Sequence, residues 1–321
     1  MRPEPWEPAS RTRVITWVRV SVWVLVWTWA CQGAIARPQE TELMARFESA
    51  RQQSPVLAAK HPIFLVSSET HDVIRGEVFT TLDQPFSLVR EVTTRSQDWC
   101  QILILHLNIK YCRASDPAPP TSTGMVLVGM GRKFDLPLDE VYWIRFNYRV
   151  LDDTANHLLV ELAAPDGPLG TKDYRLQIEA LPLNSSNTLV ALAYSQAYGL
   201  AARWAFQVYL ATLGRGKVGF SIMGSDAQGK PLWVEGLRGV LERNAMRYHL
   251  AVETWLQQQA LPPHLRMEAS LKTWFDATEQ FPRQLHEISW TQYLDMKRRE
   301  VVRLGQWPMP EPAQHHWPGS P

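Results

Sequence analysis

The stretch LRGVLERNAMRYHLAVETWL, residues 237–256, reads as a helix with an amide set into its apolar face. At 3.6 residues per turn, Leu237, Leu241, Tyr248, Val252 and Trp255 share one side, and Asn244 falls among them. An unpaired buried amide costs about 1–3 kcal/mol. Asn244 therefore either finds partners in a core or faces something other than core. On the flank of the same helix Arg243 and Arg247 stand one turn apart, placed to grip a carboxylate or phosphate together or to meet acids of a neighbouring strand.

Working back from this helix, a hairpin is expected in KVGFSIMGSDAQGKPLWVEGL around Asp226 to Gly229, and a helix in AARWAFQVYLATL. Before them come five segments of strand composition: GMVLVGMGRKF, VYWIRFNYRVLDD, NHLLVELAAP, KDYRLQIEALPL and NTLVALAYSQAYG. Turn formers such as Asp166-Gly167-Pro168 and Asn184-Ser185-Ser186-Asn187 separate them, as in a sequential antiparallel sheet. Alternation in the second segment puts Tyr142, Ile144, Phe146 and Tyr148 on one face, and in the last it puts Tyr194 and Gln196 together. Further upstream, PIFLVSSETHDVIRGEVFTTL has strand character, Asp83 is expected to cap a helix opened by Pro85-Phe86, and QILILHLNIKYC leads to a Pro-rich loop at 116–120. Leu43, Met44 and Phe47 mark a short helix over 40–53. Downstream of Pro262-Pro263, LRMEASLKTWFDATEQFPRQLHEI and SWTQYLDMKRREVVRL read as two further helices, the second with Ser289 as N-cap. The tail from Gly305, with Pro308, Pro310, Pro312 and Pro318, is expected to be disordered.

The order strand, helix, second short helix, antiparallel strands and long carboxy-terminal helix resembles the START-like, helix-grip domains of lipid-transfer proteins and polyketide cyclases. The resemblance runs from Val73 to Gln258. Its local carriers are GEVFTTLDQPFSLVREVTTRSQDWCQIL, residues 76–103, and the late strand TLVALAYSQAYG. The sequence departs from the pattern by the insertion 201–237 and by the region after Pro263. The whole chain also looks like exported bacterial proteins. The resemblance implies an α+β fold in which a curved antiparallel sheet wraps a long C-terminal helix, here with extra C-terminal helices behind it. It also implies a cavity between sheet and helix, which in relatives holds sterols, phospholipids or polyketides. On this reading the candidate ligand-binding residues are Asn244, Arg243, Arg247, Tyr248, Tyr148, Phe146, Tyr194 and Gln196. Asn244 orients a ligand's polar end, unless it pairs with strand backbone and fixes the helix. The expected partner is a hydrophobic small molecule or lipid.

The amino terminus points to export. Arg2, Arg11, Arg13 and Arg19 precede the apolar run VSVWVLVWTWAC, and Ala34-Ile35-Ala36 supplies a signal-peptidase pattern, with a retained membrane anchor as the alternative. Expected boundaries are a signal peptide over 1–36, a helical leader over 37–62, a START-like domain over 63–260, a helical extension over 261–304 and the tail over 305–321. Lipidation at Cys31 is disfavoured by the bulky Trp29 before it. Loss of the signal leaves Cys100 and Cys112, which in a periplasmic or secreted chain are expected to form a disulfide. There is no C-x-x-C, and His106 lacks a companion at ligand spacing, so no metal site and no cofactor are expected.

Lysine and arginine number 33 against 32 acidic residues, which, with no basic block, argues against nucleic acid as a partner. No G-x-S-x-G, H-E-x-x-H, P-loop or dinucleotide fingerprint occurs, and catalytic residues stay unassigned. A set drawn from distant residues, such as His106, Glu69 and Tyr174, belongs to a cyclase- or hydrolase-like alternative. A third reading is an interaction module that meets the membrane periphery or an envelope protein through an exposed patch at Trp274, Phe275, Leu285 or Trp290.

Overall fold

Alternation along the strands decides which face of the sheet is buried. In β5, Tyr142–Asp153, Ile144, Phe146 and Tyr148 are buried while Arg145, Asn147 and Arg149 are exposed, the period of two that a one-sided sheet imposes. A computed structural model describes residues 38–54, 57, 62–115, 123–199 and 216–306, which, Pro38 apart, fall in the compact unit Gln39–Pro321. The signal-like segment, Cys31, the loop at 116–120, the expected helix over 201–213 and residues 307–321 of the expected tail lie outside the described residues, while Gly305 and Gln306, expected in that tail, end the last helix.

Eight strands form one antiparallel sheet: β1 Ile63–Glu69, β2 Val73–Leu82, β3 Ile109–Ala114, β4 Thr123–Met130, β5, β6 Leu158–Asp166, β7 Thr171–Pro182 and β8 Thr188–Tyr198. Their spatial order is β1-β2-β8-β7-β6-β5-β4-β3. The first hairpin thus pairs with the last strand, and a run of hairpins fills the rest of the sheet. The segment 62–82, read as one stretch of strand, is two strands joined by a turn at Thr70–Asp72, with Ile63 opposite Thr80 and Glu69 opposite Ile74.

Between β2 and β3 lie two short helices, α2 Phe86–Thr93 and α3 Ser96–Leu103. Asp83 does not cap α2: Pro85 occupies the N-cap position without a side-chain bond, and Asp83 instead accepts from Asn187 Nδ2 at 2.8 Å. Cys100 on α3 and Cys112 on β3 form a disulfide, with Cα atoms 5.2 Å apart.

The helix over 237–256 is α4, Gly236–Gln257, and it packs across β1, β2 and β8 on the concave face. Where it crosses β2 the backbones come close: a Cβ on Gly76 would stand 3.1 Å from Leu241 Cδ2 and 3.5 Å from Ala245 Cβ. A side chain there would require Leu241 to give way by a few tenths of an ångström. α4 is buried on nearly every side, because α5, Pro263–Glu279, covers the face turned from the sheet. Several of its polar side chains therefore find partners inside the protein. Glu242 accepts from Phe220 N at 2.6 Å and from Ser221 N at 2.9 Å, which fixes the entry into the small hairpin of β9 Ile222–Ser225 and β10 Pro231–Trp233.

After α5 the chain breaks at Phe281-Pro282, forms the single turn α6, Pro282–Leu285, and enters α7, Trp290–Gln306. Residues 265–288 are thus not one helix: Pro282 cannot donate to the preceding turn. Ser289 caps α7 as its position suggests, accepting from Gln292 N at 3.3 Å while Gln292 Oε1 accepts from Ser289 N at 3.0 Å. α7 is pinned to β3 by a buried ion cluster in which Glu300 meets Lys110 at 3.0 Å and Lys297 at 2.7 Å, with all three side chains fully buried. Trp274, Leu285, Tyr293 and Met296 join the same core as the sheet. The expected exposed patch is therefore not present, since Trp274 and Leu285 are 1% and 2% exposed and Phe275 and Trp290 are partly buried against them. On the convex face, α1, Pro38–Gln53, packs Leu43, Phe47 and Ala50 on Phe64, Phe79 and Leu189.

Candidate functional site

A cavity of about 440 Å³ lies between α4 and the sheet. Its wall on the helix is Val240, Arg243, Asn244, Arg247 and Tyr248, which recur at helical spacing along one side. The sheet contributes Met130, Tyr174, Tyr194 and Gln196, the loop before β3 gives His106 and Asn108, and the loop after β4 gives Gly131 to Phe134. Glu287 and Ile288, between α6 and α7, close it from above. Below it, a void with room for about one water is shut in by Leu103, Ile109, Val128, Phe146, Leu162 and Leu176 and shares Met130, Tyr174, Tyr194 and Tyr248 with the main cavity.

Apolar wall and polar groups are segregated. Toward the floor the aromatic rings pack on one another: His106 stacks on Tyr248 with centroids 4.7 Å apart, and Tyr194 meets Tyr248 at 5.4 Å and Tyr174 at 6.2 Å. The Tyr194 hydroxyl donates to Gln196 Oε1 at 3.1 Å, so each settles part of the other's hydrogen bonding. Burial raises Tyr194 and Tyr248 well above their ordinary values, so these rings stay neutral. His106 Nδ1 accepts from Asn108 N at 3.1 Å, which leaves the proton on Nε2, and that atom has no partner. Burial, then the cations Arg247, Lys297, Lys133 and Lys110, hold the imidazole well below its usual range, so it is neutral at pH 7.

At the mouth the chemistry is ionic. Glu287 is reached by Lys133 at 2.5 Å, Lys217 at 2.7 Å and Arg247 at 2.9 Å. Burial opposes the charge on this carboxylate, but three cations outweigh it and hold the group at about 2. Lys133, Lys217 and Arg247 thus gather on one carboxylate and lie close to one another. Lys133 is accordingly pushed down to about 8, by burial first and Arg247 second, against the pull of Glu287. Arg243 donates to Val218 O at 3.2 Å and Arg247 to Leu285 O at 3.2 Å, so the helix flank is tied to both chain segments that roof the cavity.

Of the eight residues singled out from sequence, Asn244, Arg243, Arg247, Tyr248, Tyr194 and Gln196 line this cavity. Phe146 lies one layer deeper, in the wall of the small void. Tyr148 is not in the site: it shares the buried face of β5, but its hydroxyl donates to Thr93 O at 3.2 Å beneath α2. The amide of Asn244 is half-buried at the cavity wall and pairs with no side chain or strand among the described residues. The catalytic set of distant residues is not assembled, since His106 and Tyr174 line the cavity while Glu69 accepts from the Tyr198 hydroxyl at the end of β1. The sequence pattern does not mark Lys133 and Glu287, because one falls at the end of a strand-like segment and the other at the end of a helix-like one. The Gly131 that breaks the strand and the Pro282 that breaks the helix were the available signals.

A sheet whose first hairpin adjoins its last strand, two short helices after that hairpin, and a long late helix laid over a cavity now stand together. The fold is START-like. No family model and no curated protein matches the chain. Among solved structures it is similar to human STARD10, with 9% identity and TM-score 0.37 over 90% of this chain and 98% of that one. The lipid transfer and protein localization domain of human StarD13 gives 8% identity and TM-score 0.34 over 52% and 87%. The Zhui aromatase/cyclase from Streptomyces sp. R1128 gives 13% and 0.30 over 66% and 95%. At these scores the START-like assignment rests on strand order and helix placement, and the site's chemistry has to come from its own residues.

Proposed function

We propose that this chain is exported, processed after Ala36, and binds and carries a hydrophobic small molecule or lipid in the cavity beneath α4. The observation that carries the reading is the cavity itself. A START-like sheet and helix that needed only stability would close on each other, because packed interiors keep few voids larger than a water. Here about 440 Å³ stays open between Met130, Tyr174, Tyr194 and Tyr248, a volume within the range of small-molecule sites. Asn244 presents an unpaired amide to that space and orients the ligand's polar end, with Gln196 and Tyr194 contributed by the sheet. Export is supported by the arginine-flanked apolar segment and by the Cys100–Cys112 bridge, which suits an oxidising compartment.

The test is mass spectrometry of organic extracts from protein purified without detergent, beside a Val240→Trp variant whose added ring fills the cavity. A defined molecule present with the native chain and depleted in the variant supports a carrier. Extracts that are empty from both, after exposure to a total lipid extract, overturn it.

A second reading, chemistry on the bound molecule, is favoured by His106 and Lys133, which line the cavity and are both biased toward their neutral forms. It predicts that a ligand changes mass on incubation with the protein and that His106→Gln stops this without loss of binding. The binding reading is the stronger, because His106 Nε2 is covered by protein and not presented to the cavity.

A further inference from the structure

The residues around the cavity mouth are out of electrical balance. Arg132, Lys133, Arg243 and Arg247 line the cavity, and Glu287 is the one carboxylate among the described lining residues. Lys217 adds a further cation to the same carboxylate from outside the lining. With one carboxylate shared at 2.5–2.9 Å by three cations, the formal charges of the described residues at the mouth sum to a positive excess. Arg247 and Glu287 are almost fully buried and Lys133 is about three-quarters buried, so solvent screens this excess poorly. The lowered Lys133 and His106 are signs of the same field, since after burial Arg247 is the leading opponent of protonation at both.

The floor is different in kind. Met130 and the rings of Tyr174, Tyr194 and Tyr248 face the cavity there, with the leucines and Phe146 of the small void behind them. A neutral apolar ligand would use the floor and make no use of the charged mouth. A cationic one would be repelled by it.

We infer that the cavity takes an anionic amphiphile, its carboxylate or phosphate held by Lys133, Arg247 and Arg243 at the mouth and its single hydrocarbon chain or ring system laid over the tyrosine floor. This rests on the binding reading above and specifies the ligand class for the same site. Arginine and lysine supply complementary halves of such a subsite, a planar fork for two oxygens and a mobile point charge. The volume is toward the small end for ligand sites and suits one chain in place of two.

The experiment compares four molecules with one hydrocarbon chain and different heads, namely hexadecanoate, hexadecyl phosphate, hexadecanol and hexadecyltrimethylammonium, by titration calorimetry with the mature chain at pH 7. Hexadecanoate or hexadecyl phosphate is expected to bind about tenfold more tightly than hexadecanol, and the ammonium more weakly than either. Which of the two acids is preferred tells carboxylate from phosphate, and failure of inorganic phosphate to displace them shows that the chain is required. Lys133→Gln, at a partly exposed loop position, is expected to narrow the gap between acid and alcohol, and Arg247→Gln to narrow it further. Equal binding of acid and alcohol overturns the anion subsite and leaves the carrier reading standing. No binding of any of the four overturns both.

Discussion

Asn244 carries a hydrogen-bonding side chain to a place where neither sheet nor helix answers it, between two arginines that are answered. An amide in that position is open to whatever enters the cavity. We expect Asn244→Leu to leave the thermal midpoint within a few degrees of the parent, because no protein hydrogen bond is lost. It should weaken ligand binding up to about tenfold, the worth of one hydrogen bond, as read by displacement of a fluorescent fatty acid. Glu287 makes the second prediction. Its carboxyl is held at about 2 against an ordinary 4.5, so the unfolded chain binds the proton more readily between those values. Its contribution is complete above pH 4.5 and is lost as pH falls toward 2. Acid titration of stability should show this limb, of at most about 3 kcal/mol. Glu287→Gln should flatten it, and an unchanged acid limb in that variant would show that the roof is not held by this carboxylate.

The C-terminal helix α7 depends on a charge cluster shut away from solvent. Glu300 stands between Lys110 and Lys297, and the Lys297 ammonium also donates to His106 O at 2.7 Å and Ile109 O at 2.9 Å. Glu300→Gln leaves two buried ammonium groups uncompensated and should cost about 3–5 kcal/mol in urea unfolding. The triple change Lys110→Met, Lys297→Met, Glu300→Leu should recover most of that or exceed the parent. The disulfide joins α3 to β3 across 12 residues, and Cys100→Ser with Cys112→Ser should lower stability by about 3 kcal/mol, while thiol labelling of unreduced parent protein should find neither cysteine. These elements were legible to different degrees. The strands of the meander announced themselves by alternation and turn residues, and α4 by its period. The hairpin β1–β2 did not separate, because Ser67, Ser68 and Thr70 suit a strand as well as a turn. The aromatic residues of α5 suggested a sticky surface, but the period that makes a helix amphipathic does not say what covers its apolar side, and here α4 and α7 do.

The cavity belongs to no single segment. It is walled by pieces around 106, 130–134, 174–196, 240–248 and 287, brought together by a sheet whose first hairpin meets its last strand. The helix and strand residues among these were readable, because a period assigns a face. The loop residues were not, because Lys133 and Glu287 become neighbours only when α7 folds back onto β3. The same folding back makes the region after Pro263 a roof for the site and gives the mouth its positive excess. Everything said of this cavity turns on whether a ligand lies under α4 with its polar end at that mouth. A crystal structure of the protein with a fatty acid brominated at its far end answers this, since the anomalous signal of bromine locates the chain terminus directly. One bromine site is expected among Met130, Tyr174, Tyr194 and Tyr248, with the carboxylate at Lys133 and Arg247. Bromine found only on the outer surface, with the cavity still open, would contradict a ligand site beneath the helix.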